Sequence, residues 1–486
     1  MFLGIDIGTS SVKAVVVDGT QRLIAAASTP LAVSRPHELW SEQHPDDWWA
    51  AVEGTVAELR AAAGRSWAAI GAVGLSGQMH GAVLIDGAGR PLRPAILHND
   101  GRAFGEAEEL NRRLPAIGQI AGVPAMPGFA APKLLWLAHH EPEVLRQARH
   151  LLLPKDYVRL RMSGSLATDM SDASGALLLD CARRQWSPEI AAACGIDLSL
   201  LPPVLEGSAV AGELTAPVAA AWGLKPGTIL ATGAGDAAAG AIAAGAVNEG
   251  DAFISLGTAA QYFVARESYR PAPEHLVHSF CHGLPQRWFQ MAALLNGAGA
   301  LAWAAELLGK SDIGAMLAAA ETAFTGPSPL MFLPYLTGER TPHNNAHARG
   351  VLFGLTPASG AEQVTQAVVE GVALALADCQ AYVAETGALP EQIAVNGGGA
   401  RSPFWMKILA SALGKTLHVQ EESGAGPAFG AARLARLALT GEDPAKVCTK
   451  PRIAAEIRPD PALADAYGGK LVQFRNLYRA VKPFYQ

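Results

Sequence analysis

Two Gly-Thr pairs, each set between apolar runs, stand 249 residues apart in a chain of 486, at Gly8-Thr9 and Gly257-Thr258. The first lies in Leu3-Gly-Ile-Asp-Ile-Gly-Thr-Ser-Ser and runs on into Lys13-Ala-Val-Val-Val-Asp18. The second lies in Ala252-Phe-Ile-Ser-Leu-Gly-Thr-Ala-Ala and runs on into Gln261-Tyr-Phe-Val-Ala265. An apolar run, a tight glycine turn and a second apolar run are the pattern of a β-hairpin. A hairpin that returns after about half the chain points to a duplicated unit. It divides the sequence into halves at 1–245 and 246–486. The competing reading is an alanine-rich hairpin that recurs by chance.

Between the hairpins, strands and helices alternate. Segments 70–76, 228–236 and 392–400 are apolar runs that stop at glycines and small or polar residues, with helical periodicity after them. Amphipathic helices are predicted over 46–63, 360–386 and 403–412. This is the grammar of an α/β fold, in which ligands gather at the carboxyl ends of strands.

Charge narrows the function. Lys and Arg number 38 and Asp and Glu 44, a formal net charge of −6, and half the residues are hydrophobic. Such a chain can bury a real core and is not a disordered polymer. It lacks the basic field of a nucleic-acid binder. The five cysteines are odd in number and widely spaced, which suits buried free thiols in a reducing cytoplasm. The opening MFLGIDIGTS has no basic stretch before its apolar run, so no secretory leader is expected. The Ala-rich stretch 234–247 is too short for a bilayer, so no membrane partner is expected.

The glycine turns and two acids carry the chemistry. Backbone N–H groups in a tight glycine turn can converge on an anion. Gly8-Thr9-Ser10, Gly257-Thr258 and Gly397-Gly398-Gly399-Ala400 all qualify. No Walker A loop and no protein-kinase His-Arg-Asp or Asp-Phe-Gly set is present, so a nucleotide site would belong to another ATP-binding fold. Asp6 sits inside an apolar strand run, and Asp236 ends another in Gly233-Ala-Gly-Asp-Ala-Ala-Ala-Gly240. A carboxylate in such a setting needs a partner, a hydrogen bond or a metal. Phosphoryl transfer uses two such groups, one to hold Mg²⁺ and one to take the proton of the attacking hydroxyl. The plainer alternative for Asp236 is a cap on the helix that follows.

Taken together, these residues resemble the FGGY family of carbohydrate kinases, most closely its bacterial xylulokinase branch. The resemblance spans nearly the whole chain. It rests on GIDIGTSSVKAVVVD at 4–18, SRPHELWSEQHPDDWW at 34–49, GLSGQMHG at 74–81 and PKLLW at 132–136. It continues through LLPKDYVRLRMSG at 152–164, SDASGALLLD at 171–180 and HSFCHGLPQRW at 278–288. It ends with FLPYLTGERTPHNN at 332–345, GVLFGLT at 350–356 and NGGGARSPFW at 396–405. The segment from Gly350 through Gln363 to Glu370 agrees with the family's C-terminal signature. The N-terminal signature, around Lys133, departs at Ala130.

The resemblance implies two ribonuclease-H-like (actin-like ATPase) domains flanking a deep cleft. Sugar would lie mainly on the first domain and ATP mainly on the second. Asp236 matches the catalytic base, and Asp6 the acid that holds Mg²⁺, with Asp236, through water. Thr9, Ser10 and Lys13 match the first phosphate hairpin, Gly257 and Thr258 the second, and Gly399 and Ala400 the loop beside the nucleotide. Met79 and His80 match the pair that contacts the sugar, and Gln78 precedes them. The implied substrates are ATP and a small sugar, D-xylulose first. A homodimer is the family-level expectation.

Three positions depart from the family pattern. Ala237 replaces the Asn after the catalytic Asp, His98 replaces Trp in Trp-Asn-Asp, and Ala259-Ala260 replaces Ser-Gly. Another ketopentose, a deoxyketose such as 1-deoxy-D-xylulose, or a pentitol therefore stays open as substrate. From other classes, a sugar-binding regulator and a plain ATPase stand as rivals. The acid at 236 argues against the first, and the elaborate sugar-type segments against the second.

Overall fold

The computed structural model describes residues 1–421 and 426–485. Both Gly-Thr segments form the expected hairpins. Phe2–Ile7 pairs antiparallel with Ser11–Val17, and Ala252–Leu256 with Ala260–Arg266. Around each hairpin stands one large mixed sheet. In the first, the strand order is Leu23–Pro30, Ser11–Val17, Phe2–Ile7, Ala72–Gly77, Ile229–Ala231, Val210–Glu213. In the second it is Trp288–Leu294, Ala260–Arg266, Ala252–Leu256, Gln392–Asn396, Thr416–Gln420, Ile453–Ile457. The two orders match strand for strand. Each has antiparallel pairs, then two parallel pairs, then an antiparallel edge. His278–Cys281 is an extra strand on the second sheet. This is the two-domain α/β architecture expected from the sequence.

The predicted helices form where local chemistry favours them. Pro45–Ala63 starts at His44, whose ring accepts from Asp46 N–H, with Pro45 in the first turn beside Asp46 and Asp47. Trp48, Val52, Val56 and Leu59 recur along one face and are buried against the first sheet. Each contributes roughly 1.5–3 kcal/mol of burial. Ala361–Ala384 is long and apolar enough to cross a membrane, yet it packs buried over most of its length in the second core. All five cysteines are buried thiols.

One feature crosses the sequence's own halves. Helix Gly426–Thr440 lies late in the chain but packs on the first sheet, through Ala428, Phe429, Ala432 and Ala435 against Phe2, Val15, Val17 and Ala72. Glycines permit the approach. A Cβ on Gly4 would lie 1.9 Å from the Ala428 carbonyl oxygen, one on Gly74 1.9 Å from that of Ala431, and one on Gly430 1.9 Å from that of Ala239. Ala239 belongs to helix Asp236–Ala244, so this crossing ties the helix that starts at Asp236 to both halves. Buried Arg433 donates to the carbonyls of Ile242 and Ala243, capping that helix's C-terminus. Gly74→Val should therefore destabilise the protein by about 3 kcal/mol or more, at the upper end of overpacking costs. Urea unfolding measures it, and an unchanged midpoint would contradict so close a crossing.

Candidate active site

The carboxyl ends of the central strands open onto two adjoining cavities. The larger, about 530 Å³, is lined by Lys13, Ser255 and Gln261 from the two hairpins, Asn396 and Gly397 from the glycine loop, and Asp236 and Gly240 from the helix between. The smaller, about 200 Å³, is lined by Met79, His80, His98, His278 and Arg340, with Ala259, Ala260 and Met291 among its apolar wall. Asp236, Ala237 and Gln261 line both, so they mark the junction. A third, more apolar cavity of about 620 Å³ lies beyond the glycine loop, against Gly398, Gly399, Leu301, Leu317 and Trp405.

Asp236 is the first residue of its helix, and its Oδ1 accepts the N–H of Ala237 at 2.8 Å. Gly235 holds the cap position of this helix without a side-chain bond, so Asp236 does not serve as its cap. The Asp236 side chain is accessible from the two cavities but stands deep among protein atoms. Its carboxyl is pushed up to about 7, by that burial first and by the charge of Asp6 second. Asp6 is pushed up to about 6, again by burial, while Ser76 and Lys13 pull the other way. The strand register explains these neighbours, since Asp6 pairs with Lys13 on one side and Ser76 on the other. In the second hairpin, Ser255 pairs with Gln261 in the same way. Asp6 Oδ1 is buried without a hydrogen-bond partner.

That orphaned oxygen, beside a second carboxyl whose proton affinity it raises, is what a cation would relieve. Among the described residues no three His, Cys, Asp or Glu side chains gather as a metal cage. Mg²⁺ suits such a place, because it is held through one or two carboxylates, waters and substrate phosphates. The donors present therefore fit Mg²⁺.

His80 takes a left-handed backbone, φ 70°, held from two sides. Buried Lys133 donates to the His80 carbonyl at 2.8 Å and to that of Gly128 at 2.7 Å. The His80 ring meets the Gly175 carbonyl through Nδ1, which leaves Nε2 as its acceptor. Burial holds His80 well below its ordinary value. His98 and His278 are pushed down to about 4 and about 3, by burial first and the Arg340 charge next. Three neutral imidazoles thus share the small cavity with one guanidinium. Among the described residues no carboxylate forms an ion pair with Arg340.

The other candidates divide. Lys13, Asp236, Met79, His80 and Gly399 line cavities. Ser10 and Thr258 are exposed at the hairpin turns. The Gly257 and Thr258 carbonyls accept from Ala298 and Gly297, which anchors that turn. Ala400 is buried beneath the loop and donates to the Gly397 carbonyl. Gln78 differs from expectation in that it lines neither cavity. Its side chain is buried, accepting from Thr9 Oγ1 and donating to Gln43 Oε1, both at 2.9 Å. Gln43 in turn accepts from Trp48 and donates to the Thr9 carbonyl, so this relay braces the first turn. The three departures converge, because Ala237, His98, Ala259 and Ala260 all line the small cavity. Gln261, His278 and Arg340 escaped the residue-level reading. Gln261 could have been found as the hairpin counterpart of Lys13.

The FGGY carbohydrate kinase N-terminal domain model matches residues 1–243, and the C-terminal domain model residues 252–439. The chain is 46% identical to xylulose kinase of Escherichia coli (strain K12) over 485 residues, 99% of each chain. Among solved structures it resembles a xyloylose kinase from Brucella ovis, with TM-score 0.96, 44% identity and 99% of each chain covered. It also resembles xylulose kinase from Rhodospirillum rubrum, with TM-score 0.93, 30% identity, and 100% of this chain and 99% of that one covered.

Proposed function

The chain belongs to the FGGY family of carbohydrate kinases, and we propose that it transfers the γ-phosphoryl group of ATP to the terminal hydroxyl of a ketopentose. D-xylulose, giving D-xylulose 5-phosphate, is the substrate its relatives' names favour. One observation carries the reading: a carboxylate with raised proton affinity stands where a small polar cavity meets a larger one rimmed by glycine turns.

In this mechanism the sugar occupies the small cavity. His80 Nε2 and Gln261 receive or donate to its hydroxyls, and Met79 packs against its carbon face. The phosphates lie over Lys13 and the backbone of the two hairpin turns, with Thr9, Ser10, Gly257 and Thr258 forming those turns. The base lies beyond Gly399 and Ala400, against Trp405. Asp236 accepts the proton of the terminal hydroxyl as it attacks, and the helix N-terminus under it favours the charged carboxylate beforehand. Mg²⁺, held by Asp6 and Asp236 through water, would neutralise charge on the phosphates. The enzyme is taken as cytoplasmic and dimeric, acting on a small sugar with neither nucleic acid nor membrane, with domains over 1–245 and 246–486.

Asp6→Ala should lower kcat about 10²-fold or more even at saturating Mg²⁺ and ATP, the scale of losing a preorganised charge partner. Steady-state kinetics check it, and turnover near wild type would remove Asp6 from the mechanism.

The loss of an amide at Ala237 and the change at His98 favour a second substrate reading, a deoxyketose with fewer hydroxyls to satisfy. Ala237→Asn should restore a hydrogen bond of about 0.5–1.5 kcal/mol, which is about two- to twelve-fold in KM for D-xylulose. An unchanged or raised KM would count against that account of the pocket. The substrate itself is tested by ADP release across pentuloses, deoxypentuloses, pentitols and glycerol. Stimulation by D-xylulose is expected. No stimulation by any member would sink the kinase reading, and preference for another member would sink only the xylulose assignment.

A further inference from the structure

A fully buried polar cluster that the mechanism leaves unused lies directly beneath the strand end that leads to Asp236. Lys155 Nζ contacts Asp156 at 2.6 Å, Asp169 at 2.8 Å and Asp172 at 3.2 Å, and Arg159 meets Asp156 at 2.9 Å. All five side chains are sealed from solvent. Arg159 also donates to the Thr232 carbonyl at 2.7 Å, and the Lys155 stem packs under Gly77. Burial, with Asp169 and Asp156 beside it, pushes the Asp172 carboxyl well up despite Lys155.

One hydrogen bond joins this cluster to the site. Asp169 caps helix Met170–Gly175, its Oδ2 accepting the N–H of Ser171 at 2.7 Å and that of Asp172 at 3.3 Å. The same oxygen accepts a hydrogen bond from the Ser171 hydroxyl. That leaves a lone pair on Ser171 Oγ, and the N–H of Gly235 donates to it at 3.1 Å. Gly235 is the residue before Asp236. It is held on its other side too, because a Cβ there would lie 2.8 Å from the Met79 sulfur. Only two residues, Ala234 and Gly235, pair with strand Ala72–Gly77 at this point, so the ladder alone fixes the turn weakly.

We propose that Ser171 is a positioning residue for the phosphoryl transfer: by holding the Gly235 N–H it fixes the backbone from which the Asp236 carboxylate reaches the sugar's terminal hydroxyl, and Asp169 and Lys155 orient it. This rests on Asp236 as the base. Removing the hydroxyl strands a buried N–H and frees the turn. Misplacement of a reacting group by about 1 Å can cost about 10²-fold in rate.

The same helix supplies a control. Ser174 is equally buried, donates to the Met170 carbonyl at 2.8 Å and accepts from Cys281 N–H at 3.1 Å, but has no bond to residues 233–236. Four variants of the full chain are compared in steady-state kinetics and thermal melts. Ser171→Ala should lower kcat by about 10- to 100-fold while KM for D-xylulose and ATP stays within about two-fold. Ser171→Thr, which keeps the hydroxyl, should recover most of that loss. Ser174→Ala should shift Tm about as much as Ser171→Ala and leave kcat near wild type. The inference is overturned if Ser171→Ala keeps wild-type kcat, if its loss appears in KM instead, if threonine does no better than alanine, or if Ser174→Ala lowers kcat equally. Asp236→Asn is run alongside. Its retained activity would overturn both the base assignment and this inference, whereas an inactive Asp236→Asn beside a fully active Ser171→Ala overturns the inference alone.

Discussion

Asp236→Asn should fold, bind both substrates and turn over about 10² to 10⁴ times more slowly, the range a positioned general base contributes. The amide keeps the shape and the helix-start position of the carboxylate but cannot accept a proton. KM for sugar and ATP should change little, because the lost interaction forms only as the hydroxyl proton departs. The pH profile should change with it. With the carboxyl raised to about 7, wild-type kcat/KM falls as pH drops through that region, and the variant should lack this limb. Stability should move the other way. The folded carboxyls of Asp6 and Asp236 hold protons at higher pH than their usual value of 3.8, so the native state binds more protons than the unfolded one between about pH 4 and 7. Stability contributed by these groups is therefore lost as pH rises through that window. Asp236→Asn removes one of them, so its Tm at pH 7.5 should equal or exceed that of wild type. A variant that melts well below wild type would mean that Asp236 serves the fold first.

Lys155→Met should destabilise the fold by about 3–5 kcal/mol, the loss that follows when one partner of a buried ion pair is removed. Three carboxyls converge on that ammonium, and no water reaches them. Methionine replaces the volume but leaves Asp156 with only Arg159 and strips Asp169 and Asp172 of their cation. The denaturant midpoint measures the loss, and a variant within about 1 kcal/mol of wild type would show that the cluster contributes little to folding.

The duplicated sheets were legible because a hairpin is local. Its turn chemistry and alternation sit within some fifteen residues, so Gly8-Thr9 and Gly257-Thr258 announce it directly. Asp6 and Asp236 were legible for a related reason, as charged residues in apolar surroundings that no packing argument explains. Helix Gly426–Thr440 on the first sheet was not, because nothing within that helix says which strand its glycine and alanine face will meet. Gly4 and Gly74 find Ala428 and Ala431 only in three dimensions. Gln78 shows the opposite failure. It directly precedes Met79 and His80, but it lies just past the end of strand Ala72–Gly77, and its buried side chain bonds into the Thr9–Gln43 relay while theirs line the cavity. His278 and Arg340 come from separate segments of the second half, and their meeting with His98 is a product of the fold alone.

In the proposed mechanism, the two cavities meeting at Asp236 bring a sugar's terminal hydroxyl to the γ-phosphate of ATP. Phosphorus NMR of the protein with ATP, Mg²⁺ and D-xylulose tests it in one spectrum. The spectrum should show a new phosphomonoester on the sugar's C5 oxygen, growing one for one with ADP and at least about 10² times more slowly when Asp236→Asn replaces the wild type. ADP appearing with inorganic phosphate and no sugar ester, or an ester formed equally by the variant, would contradict it.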